Sequence, residues 1–474
     1  MIRNLKPYPA YKDSGVPWLG QVPISWTVQR LNASVADVVA GTWGTEPSGK
    51  DDAICVRVAD FDRSRLRVRV DRPTIRAIAP ADLRRKRLTR GDLLLEKSGG
   101  GDLQPVGVVM LFDHEEVAVC SNFVARMSVT TGFEPEFLTY LHTTLYSIGL
   151  NVRSIKQTTG IQNLDCRAYL SESVAFPPLS EQVAIVRYLD HMDRKVRHVI
   201  RARQQLIKLL TEQKQAIINR AVTRGLDPSV PLKPSGVPWL GDVPEHWAIS
   251  RVKDEFNCLD RRRIPLSGVE RGAMSSQQYD YYGASGIIDK VADFLFDDEL
   301  LLIAEDGANL VLRNLPLAII ARGKFWVNNH AHILKPKQGN IEYLSAVMEM
   351  LNYQPWISGA AQPKLTQDRL MSIALAIPPR DEQDQIIANV QEKTVSLRHA
   401  IDAAHREINL LREYRTRLIA DVVTGKLDVR DVKVPDDETY VLPEEIERID
   451  DVDTVDQTDD VTEGNSESST EETA

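Results

Sequence analysis

The 474-residue sequence predicts an α+β protein written twice, two globular halves each followed by a long helix. Three observations predict it. The stretch SGVPWLGQVPISW (Ser14–Trp26) returns 221 positions later as SGVPWLGDVPEHW (Ser235–Trp247). LSEQVAIVRYLD (Leu179–Asp190) is answered by RDEQDQIIANVQ (Arg380–Gln391) at an offset of 201, each copy preceded by Pro-Pro. Behind that second pair, apolar residues recur at the 3–4 spacing of a helix seam, in the same register in both copies.

Taken in order, residues 1–178 are the first globular half and open on the Pro/Trp loop. Val56–Ala59, Leu93–Leu95, Val106–Phe112, Val117–Val119 and Val124–Val129 read as strands, and Pro135–Gly149 reads as a helix. The first long helix occupies 179–226. Its seam is Val186, Leu189, Val196, Ile200, Ile207, Leu210 and Ile217, interrupted by Asp193 and Arg203. Ser180 is the expected N-cap and Gly225 the expected stop. The second half, with its own Pro/Trp loop, spans 227–379 and carries a helix at Ile341–Tyr353. The second long helix, 380–428, repeats the seam as Ile387, Val390, Leu397, Ile401, Ile408, Leu411 and Leu418, with Asp381 as N-cap and Gly425 as stop. About 43 residues at 1.5 Å each give helices of roughly 65 Å, too long to stand without an apolar partner. The shared register favours the two helices packing on each other. Insertions between the copies fall only in the globular halves, where the internal offset becomes 207: Leu93–Leu95 answers Leu300–Leu302 and Asn122 answers Asn329.

The net charge of −9 hides an asymmetry. Residues 436–474 hold 16 acids and one base, Arg448, so that segment carries −15 and the remainder +6. The region 429–474 is therefore expected to be an acidic, disordered tail on a mildly basic body. No apolar run reaches the length of a membrane span, and the first residues lack a signal-peptide pattern, so a cytoplasmic protein is expected. Cys55, Cys120, Cys166 and Cys258 form no CxxC pair and read as reduced, buried, inert thiols.

The sequence carries no complete catalytic pattern. GTEPSGKD (Gly44–Asp51) is one residue short of a phosphate loop and puts Asp51 where a hydroxyl should meet Mg²⁺. His330 and His332 share a strand face, but without a third ligand ordinary hydrogen bonding is the better reading. No site for a cofactor or metal is expected in this chain. Binding features are stronger. In DRSRLRVRV, Arg63, Arg65, Arg67 and Arg69 alternate with Ser64, Leu66, Val68 and Val70, so one extended strand would present four guanidinium groups on one face, a pattern suited to phosphate. Arg261 and Arg262 add a second basic cluster. Amide-, glycine- and lysine-bearing loops follow: Lys97, Ser98 and Gly99; Lys156, Gln157 and Gln162; Gln362 and Lys364. Such side chains can pair with base edges. Asn122 and Asn329 suit either DNA contact or the bracing of a turn.

The doubled order GVPWLGxVPxxW, then PPxxEQ, then heptad helix resembles the specificity subunit of type I restriction–modification systems over residues 10–430. So does the segment EDGANLVLRNLPLAIIARGKFWVNNHAHIL (Glu305–Leu334), which adds Asp306, Lys324, Asn328 and His330 to the candidates. The resemblance implies two target-recognition domains, each reading half of a bipartite double-stranded DNA sequence. It implies two long helices packed as an antiparallel coiled coil with pseudo-two-fold symmetry, which set the gap between the half-sites. It also implies two methyltransferase subunits that carry S-adenosylmethionine, and restriction subunits that use ATP and Mg²⁺. The specificity subunit itself is non-catalytic in that family. A coiled-coil scaffold whose globular ends bind proteins is the competing reading.

Overall fold

The computed structural model describes residues 5–49, 52–101, 104–158, 161–238, 240–359 and 363–435. They fall into two compact units, one of residues up to Gln204 together with Arg406 onward, the other Gln205–His405. Both division points lie inside the long helices, Leu179–Arg224 and Arg380–Val423.

Each unit is built on a six-stranded sheet. In the first, the order across the sheet is Val35–Ala40, Val124–Val129, Leu93–Glu96, Val109–Leu111, Arg67–Val68, Phe61–Asp62. In the second it is Phe256–Cys258, Ala331–Pro336, Phe296–Ala304, Ala318–Val327, Tyr279–Gly283, Gly286–Val291. The two sheets match strand for strand through the fourth place, and the fifth strand pairs parallel with the fourth in both. Their outer hairpins run opposite ways. The chain enters the first hairpin on its outer strand and the second on its inner strand. The first unit also carries a separate three-stranded sheet of Asp52–Val56, Ile75–Ala77 and Ala118–Cys120, built largely from its longer insertion.

The parts flanking the sheets repeat without a slip. Strands Tyr11–Asp13, Gln21–Pro23 and Thr27–Arg30 recur 221 positions on as Leu232–Pro234, Asp242–Pro244 and Ala248–Arg251. Ser173–Phe176 and Ala374–Ile377 are 201 apart and close on Thr27–Arg30 and Ala248–Arg251 in turn. Each long helix then begins one residue before the expected cap. Proline has no N–H to leave unpaired, so it can carry the first free carbonyl. Pro178 O accepts from Glu181 N (2.9 Å) and Gln182 N (3.0 Å), and Pro379 O from Glu382 N and Gln383 N (both 3.0 Å). Ser180 and Asp381 sit inside the first turn and cap nothing. Both helices end where a glycine takes the left-handed conformation, Gly225 (φ 73°) and Gly425 (φ 77°).

Within the first unit the two helix segments run antiparallel. Ile185, Tyr188, Leu189 and Met192 share a core with Leu418, Ile419, Val422 and Val423. Arg415 pairs with Asp193, and further along Arg203 Nε meets Glu407 Oε2 at 2.7 Å. Asp193 and Arg203, which interrupt the apolar seam, are thus interhelical ion-pair partners. Leu189, Val196 and Leu418 are buried, and Val186, Ile200 and Leu411 half-buried; Ile408 is buried. In the second unit Ala221 and Val222 pack with Ile386, Ile387 and Val390. There Ile207, Leu210, Ile217, Leu397 and Ile401 are half-buried.

Several local expectations are corrected. Val56–Ala59 is a strand end followed by a 3-10 turn, Val58–Asp60. Of Val106–Phe112 only Val109–Leu111 is paired, and the strand near Val117 is shifted to Ala118–Cys120. Cys166 and Cys258 are half-buried rather than buried. Residues 429–435 are mostly exposed but stay tied to the first unit: Val429 is 2% exposed, Val434 packs on the core, and just before them Asp428 N donates to Lys6 O (2.8 Å). Lys6 thus meets Asp428 where the second unit has a covalent Asp227–Pro228 link. The acidic stretch 436–474 lies outside the described residues.

Candidate nucleic-acid interface

What holds each globular half to its helices is a buried tryptophan–glutamate clamp. Trp26 Nε1 donates to Glu181 Oε1 at 2.8 Å, and Trp247 Nε1 to Glu382 Oε1 at 3.1 Å. Both indoles are fully buried, and a buried N–H without a partner costs about 1–3 kcal/mol. Trp26 also packs against Gly425 and Trp247 against Gly225, so a Cβ at Gly425 would lie 2.5 Å from Pro23. Each Pro/Trp loop therefore seats where one long helix starts and the other ends. The neighbouring glutamines complete the joint: Gln182 accepts from Glu134 N (2.9 Å) and Gln383 from Asn340 N (2.8 Å), while their amides donate to Pro177 O and Pro378 O. The Glu-Gln pair is visible in both copies of the sequence, but its role needed the fold.

On this scaffold each unit builds one junction from the same three pieces. A strand runs out into a loop, a tight turn feeds the neighbouring strand, and a short hairpin closes against the loop. In the first unit, Lys97 N and Ser98 N both donate to Phe123 O (2.9 and 3.2 Å), and Leu164 N to Lys97 O (2.8 Å). Ser98–Gly99 pairs with the hairpin strand Ile161–Leu164, and Ser98 Oγ reaches Asn163 Oδ1 at 2.7 Å. In the second unit, Glu305 N donates to His330 O (2.9 Å), Leu365 N to Glu305 O (2.7 Å), and Asp306 bridges to Lys364. The turn bond is the same in both: Ser98 and Glu305, and Phe123 and His330, are both 207 positions apart, whereas the hairpin bond is shifted by one residue, Leu164 meeting Lys97 and Leu365 meeting Glu305.

The surfaces differ. The first junction presents Lys97, Asn122, Phe123, Gln157 and Ile161, with Lys156 paired to Asp165 at 2.7 Å. The second is an ion network. Arg263 joins Glu305 and also donates to Asn329 O (3.2 Å) and Ala331 O (3.0 Å). Lys364 Nζ lies 3.2 Å from Glu305, and His330 Nδ1 2.9 Å from Asp306. His332 is clamped between Asp260 Oδ2 (2.6 Å) and Leu365 O (2.7 Å). Burial raises the carboxyls of Asp260 and Glu305, but the cations and donors around them win. His332 and Arg263 hold Asp260 below the usual carboxylate range, and Arg263, His332 and Lys364 do the same for Glu305. Asp260, Glu305 and His332 offer ligand atoms within 4.8 Å of one another. A metal ion there would have to displace the Arg263 guanidinium that already neutralises both acids, so the set reads as an ion-pair core.

Residues 244–407 match the model of the type I restriction modification DNA specificity domain. A type I restriction enzyme specificity subunit of Haemophilus influenzae is 35% identical over 133 residues, 28% of this chain and 33% of that protein. The MjaVIII specificity subunit of Methanocaldococcus jannaschii is 21% identical over 312 residues, 60% of this chain and 70% of its own. In these stretches the chain is similar to type I specificity subunits. The alignment with the Haemophilus protein spans a third of that subunit's length. A solved structure from work on complex assembly and conformational transition of the type I restriction–modification system superposes with a TM-score of 0.59, over 86% of this chain and 99% of its own, at 15% identity. That likeness fixes the fold: α+β, with two long helices.

Among the candidates, the first unit keeps Lys97, Ser98, Gly99, Asn122, Lys156 and Gln157 together at one junction. Gln162 is on the same hairpin but is 6% exposed and accepts from Val106 N (3.3 Å), so it braces the loop. The second half gathers Asp306, Asn328, Asn329, His330 and Lys364. The turn is braced by Asn328, whose Oδ1 accepts from His330 N at 2.8 Å, and Asn329 stays exposed. Gln362 lies outside the described residues. Lys324 stacks over Phe294 (4.6 Å), Arg262 over Phe296 (4.6 Å), and Arg261 is exposed.

The arginine strand is overturned. Asp62 accepts from Ser64 N (3.0 Å) and Arg65 N (2.9 Å), making an Asx turn, and Leu66 turns left-handed (φ 58°) to bury its side chain. The four arginines therefore straddle a hairpin bend instead of lining one strand. Arg63 pairs with Glu96 (3.7 Å), Arg65 with Asp62 (3.8 Å) and Arg67 with Asp113. Arg69 donates its backbone N–H to Asp60 O (2.8 Å). The bend faces the helices: Arg65 and Arg67 line a cleft with Tyr140, Asp190 and Arg194, and Arg415 Nη2 donates to Ser64 O at 2.8 Å. Phe123 escaped the sequence reading because a lone Phe carries no binding signature.

Proposed function

We propose that this chain is the DNA-binding specificity subunit of a type I restriction–modification assembly, each unit reading one half of a bipartite duplex target. The observation that carries the reading is the junction built twice from the same pieces, with a matched backbone bond at its turn and unmatched side chains. A scaffold kept constant beneath two different polar faces suits a protein that must present two unlike sequence readers to equivalent partners. Two methyltransferase subunits carrying S-adenosylmethionine are the expected partners, with restriction subunits using ATP and Mg²⁺ joining through the complex in the cytoplasm. Among the described residues no helix is long and apolar enough to cross a membrane.

Under this reading the chain contributes recognition and no chemistry. Lysines and backbone amides at each junction position the duplex, and amide, imidazole and ring groups meet base edges. The test is incubation of duplex DNA and S-adenosylmethionine with the chain alone, with its methyltransferase partner alone, and with both. Sequence-specific adenine methylation only in the combined sample is expected. Methylation by the chain alone would overturn the proposal.

A further inference from the structure

The two junctions share one more feature, at the tip of the turn. Phe123 and His330 stand at the same place, each with its carbonyl locked by an amide of the facing loop, Ser98 N in one case and Glu305 N in the other. Each ring is held outward, Phe123 46% exposed and the His330 side chain 46% exposed. A single exposed Phe is ordinary on a protein surface. Two exposed rings on the same rigid turn of two otherwise divergent faces are not explained by packing, since neither is needed to fill a core. The His330 ring is aimed as well: Nδ1 faces both Asp306 oxygens at 2.9 Å, which leaves Nε2 as the nitrogen directed away from the protein. On the loop whose amides hold Phe123 O, a Cβ at Gly99 would meet nothing within 4 Å.

We infer that this ring position reads a base in each half-site, apolar contact by Phe123 in the first unit and hydrogen bonding by His330 in the second. The inference rests on the DNA-reading function proposed above. Phe has no donor or acceptor, and the one apolar group a base pair shows in the major groove is the thymine 5-methyl. Phe123 therefore selects thymine. His330 presents Nε2, which pairs with a polar base edge and gains nothing from a methyl. Asp306 acts as a positioning residue that fixes the imidazole.

The experiment maps the methylated motif made by the chain assembled with its methyltransferase partner, for the parent, Phe123→His, Phe123→Leu, His330→Phe and Asp306→Asn. Neither ring is buried, so the substituted proteins should melt with the parent. Phe123→His is expected to lower methylation at the parent motif about tenfold or more and to change the preferred base at one position of one half-site, the size of one good base contact. Phe123→Leu should keep the thymine. His330→Phe should change one position in the other half-site, and Asp306→Asn should blur that same position. A parent motif left unmoved by both Phe123→His and His330→Phe would overturn this inference alone. A parent assembly with no sequence preference would overturn the specificity reading and this inference with it.

Discussion

The strand that leads into each junction carries Glu96 in the first unit and Ile303 in the second, at the same place in the third strand of each sheet. Both side chains are buried. Ile303 is core. Glu96 puts a carboxyl where the scaffold offers an aliphatic environment, and burial pushes it up to about 7, against the pull of Arg63. One of its oxygens has no hydrogen-bond partner. The difference teaches where the repeat is strict: the backbone frame is held constant, while even buried side chains next to the junction diverge.

The largest effect should come from forcing the two units to match the wrong way. Ile303→Glu would bury a carboxyl without the Arg63 that accompanies Glu96, and we expect a loss of about 4 kcal/mol or more in denaturant unfolding. The clamps come next. Glu181 takes bonds from both Trp26 and Tyr8 and is buried, whereas Glu382 takes them from Trp247 and His246 and is 23% exposed. Glu181→Ala should cost about 3 kcal/mol and Glu382→Ala about half of that, by the same measurement. Equal losses would show that the two joints are not graded by burial.

Glu96 gives a pH test. Its folded carboxyl titrates near 7 and its unfolded one near the ordinary 4.5. Between those values the folded chain holds a proton the unfolded chain has lost, so stability falls as pH rises through that window, and the full penalty stands above 7. Glu96→Gln should therefore change little at pH 4 and add about 2 kcal/mol at pH 8, read from melts across that range. The smallest effect concerns the arginine hairpin. Arg67→Gln should lower stability by about 1 kcal/mol through loss of the Asp113 pair, and leave the salt dependence of DNA association unchanged. A shallower salt slope would return Arg67 to the DNA face.

Much of the frame was legible because repetition is a sequence property. Offsets of 221, 207 and 201 recur as strand pairs in the fold, and Pro-Pro and glycine mark the helix ends. The junction faces were less legible. Alternation of Arg with apolar residues signalled a strand, yet one side chain, Asp62, captured the local amides and bent it. Gln162 had the composition of a base reader, but its hairpin turned it inward onto Val106. Composition cannot say which way an amide points, and pairwise joints such as Trp26–Glu181 span 155 residues.

The central claim is that one frame carries two independent readers. Sequencing the methylated sites left by the assembled complex on random duplex DNA tests it most directly. The account predicts one recurring motif split into two dissimilar halves at a constant gap. A single contiguous motif, or two identical halves, would contradict it.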